Sequence, residues 1–315
     1  MSQSASQCAG AVFMVRPAAF GFNAQTAASN PHQHERDTGS PVTGSAVDES
    51  TALARALQSE GVRTVIAHDT EQPPKPDAVF PNNWVSFHAD GTVVLYPMLA
   101  PNRRLERRAE LIEQVCKACG FNPSRQLDFT AHEQSGRFLE GTGSLVLDHV
   151  ARVAYACRSP RTDESLAREW AIAMGYEAEV FDACNARGQP WYHTNVMLWI
   201  GSRSAMVCSE SIAPADRGRV LERLRASERE LFEIDRAAVD AFAGNMLELA
   251  TWDEALGDTS VLVMSATARA ALAAPVIERL SGCVDAMLAV PVPTIERIGG
   301  GSVRCMLAEV PEISA

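Results

Sequence analysis

Apolar and polar positions come in short runs along this chain, and the runs recur in one order. An apolar run at 11–15 reads as a strand, stopped by Arg16-Pro17. Residues 20–45 are rich in Gly, Asn, Gln, Ser, Thr and His and carry no such run. Connections that long within a compact domain are usually functional, so 20–48 is expected to form a lid. Residues 50–60 have helical spacing, with Ser50 as the N-cap and Gly61 as the stop, and 62–67 is a second strand.

From residue 79 the pattern repeats. Strands are expected at 79–87 and 92–96, joined by the turn Ala89-Asp90-Gly91, followed by a helix at 105–118 and a strand at 126–129. The second unit has strands at 144–147 and 151–156, a helix at 163–174 and a strand at 178–181. The third has strands at 195–200 and 205–208, a helix at 214–226 and a strand at 230–234. The fourth has strands at 245–250 and 260–264, a helical stretch at 266–280 that Pro275 should kink or break, and a strand at 286–290. A fifth opens with a strand at 303–308, and its missing parts are those at the other end of the chain. A period of roughly 50–60 residues predicts a closed ring of repeated strand–strand–helix–strand units. The alternative is two ordinary α/β domains, but no linker-like stretch divides the chain after residue 48.

Composition narrows the function. The chain has 315 residues, 46% apolar and 21% charged, as expected of a globular protein. A net charge of −11 argues against nucleic-acid or anionic-membrane partners, and no apolar run approaches the roughly 20 residues that span a bilayer. Residues 1–10 read as a loose tail without the basic and apolar regions of a signal peptide, so a cytoplasmic location with reduced cysteines is expected. Among the eight cysteines only Cys116 and Cys119 form a C-x-x-C, and they fall inside a helical pattern. A homo-oligomer is left open.

A polar motif stands just before or at the start of the first strand of each unit. In order these are Pro81-Asn82-Asn83-Trp84, Leu139-Glu140-Gly141-Thr142-Gly143, Tyr192-His193-Thr194-Asn195, Gly244-Asn245 and Arg304-Cys305. Equivalent positions in a ring point at one axis. That would unite a thiol, an imidazole and a carboxylate, the set a cysteine nucleophile needs. Arg304 beside Cys305 should favour the thiolate.

These residues resemble the guanidino-group-modifying superfamily of arginine deiminases, dimethylarginine dimethylaminohydrolases and amidinotransferases, most of all its citrulline-utilisation hydrolases. The matching segments are Arg16-Pro17-x-x-Phe20-Gly21-Phe22-Asn23, Phe80 to Trp84, Ala100 to Arg104, Leu139-Glu140-Gly141, Arg161-Thr162, His193-Thr194-Asn195 and Gly300 to Cys305. They span nearly the whole chain as a single catalytic domain, 1–315. The resemblance implies a five-bladed α/β propeller whose last blade is closed by the two chain ends. It implies Cys305 as nucleophile, His193 as general acid and base, and Glu140 as the carboxylate of the same centre. It also implies Arg103 and Arg161 as partners of a substrate carboxylate, and Phe22 and Asn23 as lid contacts. No metal or organic cofactor is implied, and Gly299-Gly300-Gly301 precedes a strand rather than the helix of a dinucleotide fingerprint.

The dimethylarginine hydrolases carry an acidic pair where this chain has Asn82 and Asn83. Two carboxylates suit a cationic guanidinium, whereas an amide offers one donor and one acceptor, as suits a neutral ureido group. The expected substrate is therefore the small amino acid citrulline, cleaved at a C–N bond to ornithine, carbon dioxide and ammonia. An arginine deiminase or dimethylarginine dimethylaminohydrolase activity is the alternative. A binding protein that senses an amino acid without turnover is a third reading.

Overall fold

The computed structural model describes residues 6–35 and 42–312. It is a mixed α/β structure whose strands form five three-stranded sheets. In chain order the strands are β1 Ala11–Arg16, β2 Arg63–His68, β3 Val85–Phe87, β4 Thr92–Leu95, β5 Arg125–Asp128, β6 Val146–Asp148, β7 Val153–Cys157 and β8 Glu177–Phe181. They continue as β9 Leu198–Ile200, β10 Ser204–Val207, β11 Glu230–Glu233, β12 Leu247–Asp253, β13 Gly257–Ser265, β14 Ala286–Val290 and β15 Ala308–Val310. Four sheets take three consecutive strands, from β3-β4-β5 to β12-β13-β14; the fifth, β15-β1-β2, joins the two ends of the chain.

Each sheet pairs its middle strand antiparallel to one neighbour and parallel to the other. In the four consecutive sheets a hairpin makes the first pairing; in all five the second needs a crossover, which here is helical. The crossover Glu164–Met174 shows why such segments coil. Asp163 caps it by accepting the Leu166 backbone N–H at 2.9 Å, Gly175 ends it in a left-handed turn, and Leu166, Ala167, Trp170, Ala171 and Met174 form one buried stripe. In the end-joined sheet, Ala11 stands opposite Val310 and Phe13 opposite Ala308.

Several expected boundaries move. The first helix runs Thr43–Ser59, so Ser50 is buried mid-helix rather than an N-cap. Gly44 and Ser45 weaken the helical signal there, but Ala46, Ser50, Leu53 and Leu57 complete one buried face. Gly61, at φ +83°, does follow the end of the helix. The stretch 266–280 breaks into Ala266–Ala271 and Ala274–Ser281, with Pro275 in the first turn of the second piece. The expected strands at 79–87, 144–147, 195–200 and 303–308 begin instead as helical turns: Pro81–Asn83, Gly141–Ser144, Thr194–Val196 and Val303–Met306. All four turns are buried, and each runs directly into an apolar segment, so the periodicity does not separate turn from strand.

Residues 1–5 of the expected tail and 36–41 of the expected lid lie outside the described residues. Residues 6–10 are tied down, since Gln7 is buried and donates from Nε2 to the carbonyls of Leu147 and Ile200 at 2.9 and 3.2 Å. The described part of the lid holds a short helix, Ala24–Ala27. Among the described residues no helix is long and apolar enough to cross a membrane.

Candidate active site

The four helical turns and residues 244–245 lie against one another in sequence. Gly141 adopts φ +50°, and a Cβ there would sit 2.1 Å from the Asn82 carbonyl oxygen, so glycine alone permits this approach. Thr194 donates to the Ser144 carbonyl at 2.6 Å, and Asn195 to the Thr142 carbonyl at 3.1 Å. Asn245 donates to the Asn195 carbonyl at 2.9 Å and accepts the Arg304 N–H at 3.1 Å. The Val303–Met306 turn in turn lies against Pro81–Asn83.

One cleft is lined by Cys305, His193, Asn83, Asp77, Arg103 and Arg161, among others. Glu140 stands behind His193, with 2.9 Å between its Oε2 and the imidazole Nε2. Arg161 and Arg103 approach the same oxygen at 3.4 and 3.8 Å, and the Leu99 backbone N–H donates to Oε1 at 3.1 Å. Burial pushes the Glu140 carboxyl up, but Arg161, the His193 hydrogen bond and Arg103 together hold it at about 2. An ionised carboxylate accepts only, so Nε2 of His193 carries the hydrogen and Nδ1 keeps its lone pair. Among the described residues Nδ1 has no hydrogen-bond partner, and it faces the space above Gly143 together with Asn83 Nδ2. Burial lowers the His193 pKa to about 4 despite Glu140, so the ring is neutral at pH 7.

Burial also raises the Cys305 thiol above its ordinary value, against the Ser302 backbone, Asn245, Arg304 and Arg103. The neighbouring arginine therefore does not make a resting thiolate. Its guanidinium turns away, donating to the Leu307 carbonyl and to Glu309, both at 2.8 Å. The centre at rest is a thiol with a neutral imidazole.

The expected substrate residues divide. Arg103 is buried and held by Glu106 through Nε and Nη2, both at 2.9 Å, and by Asn83 Oδ1 at 2.8 Å. Arg161 reaches the Thr26 carbonyl at 2.9 Å and Ser29 Oγ at 3.0 Å, and so fastens the 20–35 segment over the cleft. Asn30 and His34 add bonds to the carbonyls of Gly300 and Arg297, both 2.9 Å. Asn83 lines the cleft, while Asn82 is buried behind it and accepts the Asn83 amide at 2.9 Å. Phe22 packs against the apolar cluster under β1 and does not line the cleft. Asn23 acts at one remove, donating to Asp77 Oδ2 at 2.7 Å.

Asp77 is the functional candidate that pattern reading missed. It is buried in the cleft wall, accepts Thr26 Oγ1 at 3.0 Å, and lies 3.8 Å from Arg103. Burial raises its carboxyl above the usual range, against Arg103 and Asn23. It follows Pro73, Pro74 and Pro76 in a connection without periodicity, where nothing marks one carboxylate from another. Tyr192, at the head of the His193 motif, donates from its hydroxyl to the Gly300 carbonyl at 2.6 Å and braces the loop before Cys305, a part the sequence does not show. Among the described residues no three or more His, Cys, Asp or Glu gather as metal ligands would.

A sequence profile described as N,N dimethylarginine dimethylhydrolase, eukaryotic, matches residues 16–312. No curated protein matches the chain. Among solved structures, apo ArgZ, an arginine dihydrolase from the ornithine-ammonia cycle in cyanobacteria, superposes with a TM-score of 0.73 at 16% identity. That match covers 96% of this chain and 40% of ArgZ, so the chain spans about two fifths of its relative's length. The N-terminal domain of ArgZ bound to substrate matches with a TM-score of 0.72 at 16% identity, over 96% of this chain and 98% of that domain. A dimethylarginine dimethylaminohydrolase in adduct with S-methyl-L-thiocitrulline gives 0.65 at 18% identity, over 95% of this chain and 98% of its own.

Proposed function

The chain belongs to the N,N dimethylarginine dimethylhydrolase family; from that premise we propose that it is a hydrolase of non-peptide C–N bonds, in which Cys305 attacks the guanidino carbon of an arginine-like amino acid. The observation that carries the reading is the shared cleft of Cys305 and His193, with Glu140 held as a carboxylate behind the imidazole. The five sheets are proposed to stand as blades around it.

The steps follow from the charges. A cationic guanidinium entering beside Cys305 favours loss of the thiol proton, which the free Nδ1 of His193 can take. Sulfur bonds to the guanidino carbon, and the terminal nitrogen leaves as ammonia with the proton held on Nδ1. Water then attacks the thiouronium carbon, Nδ1 takes its proton, and the C–S bond breaks to give a ureido product and free Cys305. The imidazolium formed on the way is stabilised by Glu140. Asp77 is proposed to take the substrate ammonium, and Arg161, with Arg103 behind it, the carboxylate.

The sequence ranked citrulline first, and the solved structures similar to this chain favour a guanidino substrate instead. One observation keeps the ureido reading as second. Asn83 Oδ1 is taken by Arg103 and one Nδ2 hydrogen by Asn82, leaving a single neutral donor toward the cleft, which suits a ureido carbonyl. On that reading Cys305 is carbamoylated, and water releases carbamate, which gives carbon dioxide and ammonia. Incubating purified protein with arginine, methylarginine and citrulline, with chromatography of the amino-acid products, separates the two. Consumption of arginine or methylarginine supports the leading reading, consumption of citrulline alone the second, and binding without turnover of any refutes both.

A further inference from the structure

Among the described residues, Asn245 is the only side chain that donates a hydrogen bond to the Cys305 sulfur, with Nδ2 3.3 Å from Sγ. The side chain is fully buried, and its orientation is fixed from both sides. Oδ1 accepts the Arg304 N–H at 3.1 Å, and Nδ2 donates to the Asn195 carbonyl at 2.9 Å. A flipped amide would set donor against donor and acceptor against acceptor. One Nδ2 hydrogen is thus committed to the backbone, and the other is available to sulfur.

The surroundings enforce this placement. A Cβ on Gly244 would lie 2.5 Å from the Val196 carbonyl oxygen, so glycine lets this segment settle on the Thr194–Val196 turn. The Asn245 N–H donates to the Phe242 carbonyl at 2.8 Å, across a left-handed Phe242 at φ +61°. Asn195, on the same turn as His193, therefore sets the position of the donor.

We infer that Asn245 is a catalytic residue that stabilises the Cys305 thiolate by donation from Nδ2; this rests on the reading of Cys305 as the nucleophile. The thiol can donate to Oδ1 of Asn245 at 3.7 Å or of Asn195 at 3.9 Å. Once the proton has passed to His193 Nδ1, sulfur only accepts, and the Nδ2 hydrogen bond becomes charge-assisted. The Ser302 backbone also favours the thiolate, but no other side chain around the sulfur takes this part. His193, Tyr192, Arg103, Arg161 and Asp77 share its cleft and Arg304 adjoins it in the chain, yet none donates to Sγ. A neutral amide supports the thiolate without a fixed positive charge that would repel a cationic substrate.

The test is the rate of Cys305 alkylation by iodoacetamide from pH 6 to 10, read as the mass of the Cys305 peptide. Asn245→Asp and Asn245→Ala are compared with the parent protein. Asn245→Asp puts a carboxylate where the donor was, and its alkylation profile is expected to move up by about one pH unit or more, or about tenfold slower reaction at a fixed pH. The kcat should fall at least about tenfold with KM held within about threefold. Asn245→Ala should move the profile the same way, which keeps the test alive if circular dichroism shows Asn245→Asp unfolded. An unmoved profile in folded variants overturns the inference, even if kcat falls, because a purely structural role would leave the thiol unchanged. Cys305→Ala separates the two levels. If it remains active, the nucleophile reading fails; if it is inactive while the Asn245 variants keep the parent profile, this inference alone fails.

Discussion

Replacing Glu140 with Gln keeps its shape and removes its charge. In the structure its Oε2 lies 2.9 Å from His193 Nε2, and both side chains are almost fully buried. The neutral ring at rest needs little from this partner, but the imidazolium formed during turnover needs a great deal. A hydrogen bond to a charged partner contributes about 1.5–3 kcal/mol, and each 1.4 kcal/mol is about tenfold in rate. That alone predicts a loss of roughly 10–150-fold in kcat. Arg161, Arg103 and His193 all meet the Oε2 position, so the glutamine carbonyl oxygen stays there and its NH2 faces the Leu99 N–H, donor against donor, which pushes the side chain off the imidazole. A displaced imidazole loses part of an acid–base function worth about 10²–10⁴-fold in full, so a total fall in kcat of about 10²–10³ is expected. The assay is steady-state ammonia release under substrate saturation, with a urea melt to keep folding failure apart. A folded Glu140→Gln protein with kcat within about threefold of the parent would refute the role given to Glu140.

Three other expectations follow from particular contacts. The raised Cys305 thiol predicts little thiolate at pH 7, so alkylation of the free protein should climb about tenfold per pH unit through pH 9; a plateau between pH 6 and 9 would indicate a resting thiolate–imidazolium pair instead. Gly143→Ala places a Cβ 2.6 Å from Asn83 Nδ2 and 2.8 Å from His193 Nδ1, and a shift of either group should lower kcat by about 10²-fold while the melting temperature changes little. Cys116→Ala and Cys119→Ala should leave turnover and its redox sensitivity unchanged, since both thiols are half-buried on the helix Ala109–Cys119 and line no part of the cleft; altered turnover under oxidant in either variant would give this C-x-x-C a redox role.

The strand–strand–helix–strand order was legible because each piece carries its own period: Val153–Cys157 is a buried apolar strand, and Glu164–Met174 has a capped amphipathic stripe. The turns that present the chemistry were not, because a buried turn such as Val303–Met306 has the composition of a strand. The motifs at Glu140, His193 and Cys305 could be found since each stands at an equivalent place before the first strand of its unit, and the structure does bring Cys305 and His193 to one cleft with Glu140 behind the imidazole. Side-chain direction was beyond reach. Nothing local shows that Arg304 turns to Glu309, that Asn82 lies behind Asn83, or that Asp77 is folded inward by the 20–35 segment. Those facts depend on contacts between distant parts of the chain, and they set the charge at the site.

The covalent step can be observed directly. The protein is mixed with arginine, and separately with citrulline, quenched in acid within the first turnover, digested and weighed peptide by peptide. The account predicts a substrate-derived mass on the peptide that holds Cys305, absent from Cys305→Ala, which should also release no ammonia. Turnover by Cys305→Ala, or a substrate adduct on any other residue, would contradict it.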